Sequence, residues 1–323
     1  MMDRRTLIGT GIAAAAASAM PGAALAQNRI TVPFKLFDCH AHFYTNKPDE
    51  YPFHANGARY GAEAMIKKAM AHPMTAETIL KMWDETGVGK GLGVQYNSTY
   101  STDNRYLLDI AGKYPDRILP VVILDPLDHA TPLTLELMAQ YRGVTGVRFT
   151  GVMKDGEFGF LSDAAAGAWE AANALGLSIT VMPLGHAPEA MGKVAAYAAK
   201  YPNVYIVIDH IGFPRPVEGG DFGLSPQHIA LAGHKNVFYK YTTFLIEMLQ
   251  AGNVPLGPFL EHMVETYGAD HMVWGSDVGN TEGTYSDFVQ TALQSAKGLG
   301  MDQQKALFHD TAERVFIPGG RGA

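Results

Sequence analysis

LFDCHAH, Leu36 to His42, runs an apolar stretch directly into a cluster of polar side chains. On an extended strand alternate residues share a face, so His40 and His42 point one way while Cys39 and Ala41 point the other. Two imidazoles at this spacing can bind one metal ion or flank one substrate. A packed strand-end histidine beside a solvated one would show the same letters. Asp38 and the abrupt end of the apolar pattern at Phe43 favour the functional reading, because polar groups at a strand terminus can enter a pocket and stay hydrated. Cys39, turned away from the histidine face, is expected to be buried against a helix. As the only cysteine in the chain it can form no intramolecular disulfide.

Seven more short apolar segments follow: VGKGLGVQ (88–95), ILPVVILD (118–125), VTGVRFT (144–150), LSITVMP (177–183), VYIVIDH (204–210), VFYKYTT (237–243) and MVWGSDV (272–278). Amphipathic stretches separate them, and the pattern predicts helices over 76–85, 102–114, 132–141, 164–175, 187–201, 244–251, 257–267 and 285–297. A strand followed each time by helical material implies parallel strands with right-handed crossovers. Eight such units predict a (β/α)8 TIM barrel, distorted by a long loop after the first strand. A doubly wound open sheet is the rival; it lacks a GxGxxG motif after its first strand, and polar residues end many strands here instead of meeting at one crossover. The tail FHDTAERVF, 308–316, reads as a last helix sealing the barrel.

The segment 43–70, with YTNKPDEYPFHANGARYG at its centre, has no clean period. Loops of this length in a compact domain are usually functional or disordered, and Tyr51, Phe53, His54, Arg59 and Tyr60 are expected to line a pocket. Ahead of the first strand, residues 1–26 combine Arg4-Arg5, a weakly hydrophobic Ala/Gly stretch and Ala24-Leu25-Ala26, the shape of a secretory signal of the twin-arginine type. The expectation is an export signal over 1–26, a single barrel domain over 27–323, a periplasmic or secreted location, and no membrane attachment once the signal is removed. The net charge of −7 and the absence of a basic run beyond the first residues leave no face for a nucleic-acid backbone. Surface aromatics are compatible with a homodimer.

In such a barrel the C-terminal strand ends carry the active site. They offer His40 and His42, Gln95 and Asn97, Asp125, Arg148, Met182 with His186 beyond it, Asp209 and His210, Lys240, and Asp277. Arg148 interrupts an apolar strand and must be paired, because a lone buried guanidinium costs several kcal/mol. Asp125 or Asp277 would serve structurally; a ligand carboxylate suits its rigid fork better. Lys240 either points the same way or snorkels. Asp277 can hold a metal or accept a proton from attacking water, and His210 can polarise a carbonyl. Asp209 alternates to the other face and reads as structural.

DCHAH, VTGVRF, YPNVYIVIDHIGFPRP and the closing VWGSD together resemble the amidohydrolase superfamily over residues 34–317. The resemblance is to the amidohydrolase-related branch of 2-pyrone-4,6-dicarboxylate lactonases, sugar-acid lactonases and isomerases, and aminocarboxymuconate-semialdehyde decarboxylases. It implies that His40 and His42 are the first-strand pair, His210 the sixth-strand histidine and Asp277 the residue that activates water, with Arg148 toward a substrate carboxylate. Lys240, Arg59, Tyr51, His54, Asn97 and His186 complete the expected substrate-binding set. Metal-binding members of the branch place a histidine where this chain has Met182, and a thioether is a poor zinc ligand beside imidazoles. The expectation is therefore no cofactor, with a single divalent metal, zinc on His40, His42 and Asp277, as the alternative. The expected reaction is hydrolysis of a small carboxylated lactone; isomerisation, or metal-dependent decarboxylation, is the alternative. A two-lobed binding protein is disfavoured because the even strand spacing shows no domain boundary.

Overall fold

The computed structural model describes residues 30–58, 61–185 and 188–317. The expected export signal, Arg59 and His186 lie outside these residues. All eight expected strands form: β1 Leu36–Ala41, β2 Val88–Val94, β3 Ile118–Ile123, β4 Gly146–Val152, β5 Ser178–Leu184, β6 Tyr205–Ile208, β7 Val237–Thr242 and β8 Met272–Gly275. Neighbours in sequence pair in parallel throughout, in the order β1 to β8. The bridge between Ala41 and Val278 closes the ring. Helices alternate with the strands, so the architecture is the (β/α)8 barrel.

At the seam between β8 and β1 a side chain supplements the backbone bonds from Asp277 N to His40 O (2.7 Å) and from His42 N to Val278 O (2.9 Å). Asp38, fully buried, accepts hydrogen bonds from the backbone N–H of Ser276 (2.8 Å) and His40 (3.0 Å) through Oδ1. Its Oδ2 accepts from the hydroxyls of Ser276 (2.6 Å) and Tyr285 (2.8 Å). Four donors satisfy a carboxylate that would otherwise be costly to bury. The two strands are pressed so close that a Cβ on Gly275 would lie 2.5 Å from the His40 Cβ and 2.9 Å from its backbone N.

This seam corrects the simple alternation read from LFDCHAH. The pairing register shifts between Asp38 and Ala41, so Asp38 turns toward Ser276 and Tyr285 while Cys39 joins the barrel interior. There it packs with Phe37, Leu92, Val94, Val121, Val207, Phe238 and Val273, alternate residues of neighbouring strands. Ala312, Val315 and Phe316 belong to the same cluster. The final helix, Thr311–Phe316, thus plugs the end of the barrel opposite the strand C-termini, as the tail sequence suggested.

The segment after β1 is less open than expected. It holds a helix, Ala62–Ala71, of which only Met65 and Ala69 are buried, and so shallow an apolar stripe gives almost no periodic signal. The following helix, Ala76–Thr86, is capped by the Thr75 side chain, which accepts from the Thr78 N–H.

Candidate active site

At the C-terminal end of the barrel His42, Asn97, Arg148, Met182, His210 and Asp277 border a cavity of about 400 Å³. Tyr96, Ser98 and Asn280 extend its polar side, and Leu184, Phe213 and Phe244 form an apolar wall. Backbone geometry aims the polar groups. β6 ends in a tight turn, Asp209–Gly212, in which His210 has φ of +53°, and Asp277 has φ of +55°. Left-handed backbone is uncommon for these residue types and clusters at functional sites. The turn after β6 lets consecutive residues face the same centre, so Asp209, expected to be structural on the opposite face, lies at the heart of the cluster.

Two linked groups make up that cluster. In the first, His40 Nε2, His42 Nε2 and Asp277 Oδ1 form a triangle with sides of 3.2, 3.4 and 3.3 Å. Asn280 Nδ2 and Thr281 Oγ1 both donate to Asp277 Oδ2, at 2.8 and 2.9 Å. Oδ1 is left as a buried acceptor without a geometrically sound donor among the described residues. Tyr96 stacks on the His42 ring at 4.4 Å and donates to Asn280 Oδ1 at 2.9 Å, tying both sides of the triangle together. In the second group Asp209 receives Arg148 Nε on Oδ2 (2.7 Å) and Lys240 Nζ on Oδ1 (3.0 Å). His40 Nδ1 is 3.4 Å from the same Oδ1. His40 therefore joins the two groups through its two ring nitrogens.

Burial pushes the Asp277 carboxyl up, but His42, His40 and His210 outweigh it and hold the group below the ordinary carboxylate range. Asp209 follows the same logic, with Lys240 and Arg148 overcoming burial. Burial drives His40 well below the usual imidazole value despite Asp209. It takes His210 down to about 4, against the opposing pull of Asp209 and Asp277. Burial thus favours the neutral form of His40 and His210, while their neighbours favour the ionised form of Asp209 and Asp277.

A divalent metal fits the first group. Ligand bonds of about 2.0–2.1 Å in a tetrahedral arrangement separate the donors by about 3.3 Å, close to the sides of the triangle. His42 Nδ1 lies 2.9 Å from the Val94 carbonyl, so Nδ1 carries the proton and Nε2 keeps its lone pair for the site. The unsatisfied Asp277 Oδ1 is the third donor. Among the described residues a second set, His40, Asp209 and His210, also brings possible ligand atoms within 4.8 Å of one another. Met182 therefore does not exclude a metal, since His40, His42 and Asp277 bring three possible ligand atoms together without a fifth-strand histidine. The Met182 Sδ instead accepts from Arg148 Nη2 at 2.7 Å.

Several expected site residues fall elsewhere. Lys240 is fully buried beneath the cavity, as the partner of Asp209, and does not border it. The hydroxyl of Tyr51 donates to Asp109, and its ring packs on Tyr106. His54 approaches Asp103 at 3.8 Å. Neither borders the cavity, because Tyr51 packs over the helix Arg105–Lys113; among the described residues of the loop only Gly57 reaches the site. Asp125 caps its own turn by accepting from the Leu127 N–H. Arg148 is paired, though with Asp209 instead of Asp125 or Asp277. Tyr96, Asn280, Phe213 and Phe244 had carried no signal; each lies two to five residues beyond a strand end, where only the fold shows which side chains turn inward.

A closed parallel barrel with histidines, an arginine and an aspartate converging at its C-terminal face defines a barrel hydrolase of the amidohydrolase type. The amidohydrolase family profile matches residues 37–317, and the chain belongs to that family. It is an enzyme of hydrolase type. L-fucono-1,5-lactonase of Burkholderia ambifaria is 27% identical over 217 residues, 63% of this chain and 70% of the relative. A structure from Pseudomonas putida described as a candidate 2-pyrone-4,6-dicarboxylic acid hydrolase is 25% identical with a TM-score of 0.69, covering 88% of this chain and 97% of that one. An amidohydrolase from Burkholderia multivorans with bound zinc shares the fold at 20% identity and a TM-score of 0.67, over 87% and 99% of the two chains.

Proposed function

We propose that this enzyme opens a small carboxylated lactone by adding water to the ring carbonyl. The observation that carries the reading is Asp277 Oδ1, a buried carboxylate oxygen that borders the cavity beside His42, with no well-aligned hydrogen-bond donor among the described residues and only the His42 and His40 ring nitrogens near it, at 3.3 and 3.4 Å. An ionised carboxylate so placed can take a proton from water. Its other oxygen is held by Asn280 and Thr281, so the group is oriented before substrate arrives. His210 Nδ1 lies 2.7 Å from the Thr242 hydroxyl. With that hydroxyl donating, Nε2–H of the neutral ring is the donor available to an oxyanion. His40 is fully buried and orients Asp277 and His42 without touching substrate. Arg148, held through Nε by Asp209 and through one Nη2 hydrogen by Met182, keeps Nη1 and the second Nη2 hydrogen to donate to the substrate carboxylate. Bound on His40, His42 and Asp277, a divalent ion would supply Lewis-acid polarisation and a water of lowered pKa.

The wall of Leu184, Phe213 and Phe244 also supports a second reading, non-oxidative decarboxylation of a planar acid, to which the metal-compatible triangle removes the earlier objection. A panel of carboxylated lactones, assayed for ring opening and for CO2 release with and without added zinc, separates the two. Ring opening without CO2, lost in Asp277→Asn, is the expected result; CO2 release from an open acid would transfer the assignment to decarboxylation. Export of the folded enzyme through the twin-arginine route is proposed from Arg4-Arg5, and replacing both by lysine should retain the protein in the cytoplasm.

A further inference from the structure

The buried lysine Lys240 enters neither the proposed chemistry nor the cavity lining. Its Nζ lies 3.0 Å from Asp209 Oδ1 and 3.3 Å from His40 Nδ1, at two of the three groups of the second ligand set. A cation is already present where that set would hold one.

Its effect on the first set runs through the protons of His40. His42 carries its proton on Nδ1, donated to Val94 O, so His42 Nε2 is an acceptor. The 3.2 Å contact between the two Nε2 atoms then requires the proton on His40 Nε2. His40 Nδ1 is left with a lone pair, to which the ammonium of Lys240, 3.3 Å away, is placed to donate. The direction of donation is continuous: Lys240 to His40, His40 to His42, His42 to Val94 O. In this tautomer His40 offers an N–H, not a lone pair, to the triangle. Metal ligation needs the reverse, with the His40 proton on Nδ1 facing Asp209 and the ammonium displaced from it. Charge points the same way. Asp209 and Asp277 are balanced by Arg148 and Lys240, and Asp38 behind β1 adds one negative charge already met by four donors. A divalent ion would bring two further positive charges into this enclosed space beside the ammonium.

We propose that Lys240 is an internal antagonist of metal binding, its ammonium occupying the second cation position and holding His40 in the tautomer that keeps its lone pair away from the His40–His42–Asp277 triangle. Lys240 is thus a positioning residue for His40 and sets how firmly this barrel holds a metal.

The experiment is a zinc titration of chelator-stripped full-length protein against a chromophoric competitor, with the parent, Lys240→Met and Lys240→Gln. No substrate enters, so failure of the lactonase reading and failure of this proposal are distinguishable. The expected result is zinc affinity at least about tenfold tighter in either folded variant than in the parent. Equal or weaker affinity, or no zinc binding by any of the proteins, overturns the proposal. Should both variants fail to fold, the parent alone decides through the nitrogen-15 shifts of its histidines. Metal-free protein with His40 protonated on Nε2 supports the proposal, and protonation on Nδ1 overturns it.

Discussion

Replacing Gly275 by alanine adds one methyl group at a point where β8 and β1 are in close contact across the barrel seam. The new carbon would meet His40 Cβ at 2.5 Å, His40 N at 2.9 Å and the Cys39 carbonyl carbon at 3.2 Å. Two of these atoms are backbone, and the third is rigidly attached to it. Ordinary contact begins near 3.4 Å, so β1 must retreat by roughly 1 Å or the seam must part. Overpacking of this kind costs about 1–3 kcal/mol, which lowers the melting temperature by about 5 °C for a domain of this size. The catalytic effect should be larger than the loss of stability suggests. Moving His40 moves one corner of the triangle, and a misplacement of about 1 Å can cost roughly 10²-fold in rate. Thermal unfolding and steady-state kinetics on the same preparation test this, with kcat expected to fall about 10²-fold while the protein remains folded and cooperative. A Gly275→Ala enzyme with full turnover, or one that loses stability and activity only in proportion, would refute the claim that this contact sets the position of His40.

Asp277→Asn should lower kcat by about 10²-fold or more with little change in KM, since proton transfer from water is needed mainly in the transition state; normal turnover, with His210→Asn inactive, would make His210 the base. Arg148→Met should chiefly raise KM for a carboxylated lactone and erase its advantage over the neutral ester, and a variant that still discriminates acid from ester would place the carboxylate elsewhere. His210 is held at about 4, below the ordinary histidine value, so between those two values the unfolded chain binds the proton more readily and stability falls as pH drops. Denaturant unfolding across that range should show a shallower decline in His210→Asn than in the parent. Asp38→Asn replaces two acceptor oxygens by one while Ser276, Tyr285 and His40 still present four donors; it should destabilise the fold by about 2–4 kcal/mol, read as a reduced denaturant midpoint.

The barrel was legible because each strand is a short apolar run ending in a polar residue, and each intervening helix has enough buried face to show a period. His40, His42, His210, Asp277 and Arg148 were legible for the same reason, as polar letters at apolar boundaries. Departures arose where backbone deviates from regular geometry. The shift in β1 put Cys39 inside and turned Asp38 to the seam, and the left-handed turn at His210 brought Asp209 to the centre. Lys240 was read as a candidate for the pocket because its letter tells charge but not depth. In the segment 43–70 composition misled for Tyr51 and Phe53, which pack on Tyr106 and Tyr100 instead of lining the cavity; Arg59 and Tyr60 lie outside the described residues.

The seam also dictates when catalysis can begin. Seven of the strand pairings join neighbours in sequence, whereas β1 meets the end of β8 across a separation of 238 residues. His40 and His42 stand on one side of that junction and Asp277 on the other. A refolding chain can thus acquire nearly all its secondary structure as an open curved sheet and still lack the His40–His42–Asp277 triangle. Recovery of activity becomes a clock for ring closure, lagging behind the helical and strand signals, and Asp38 is the clasp whose three bonds to Ser276 and Tyr285 stop that clock.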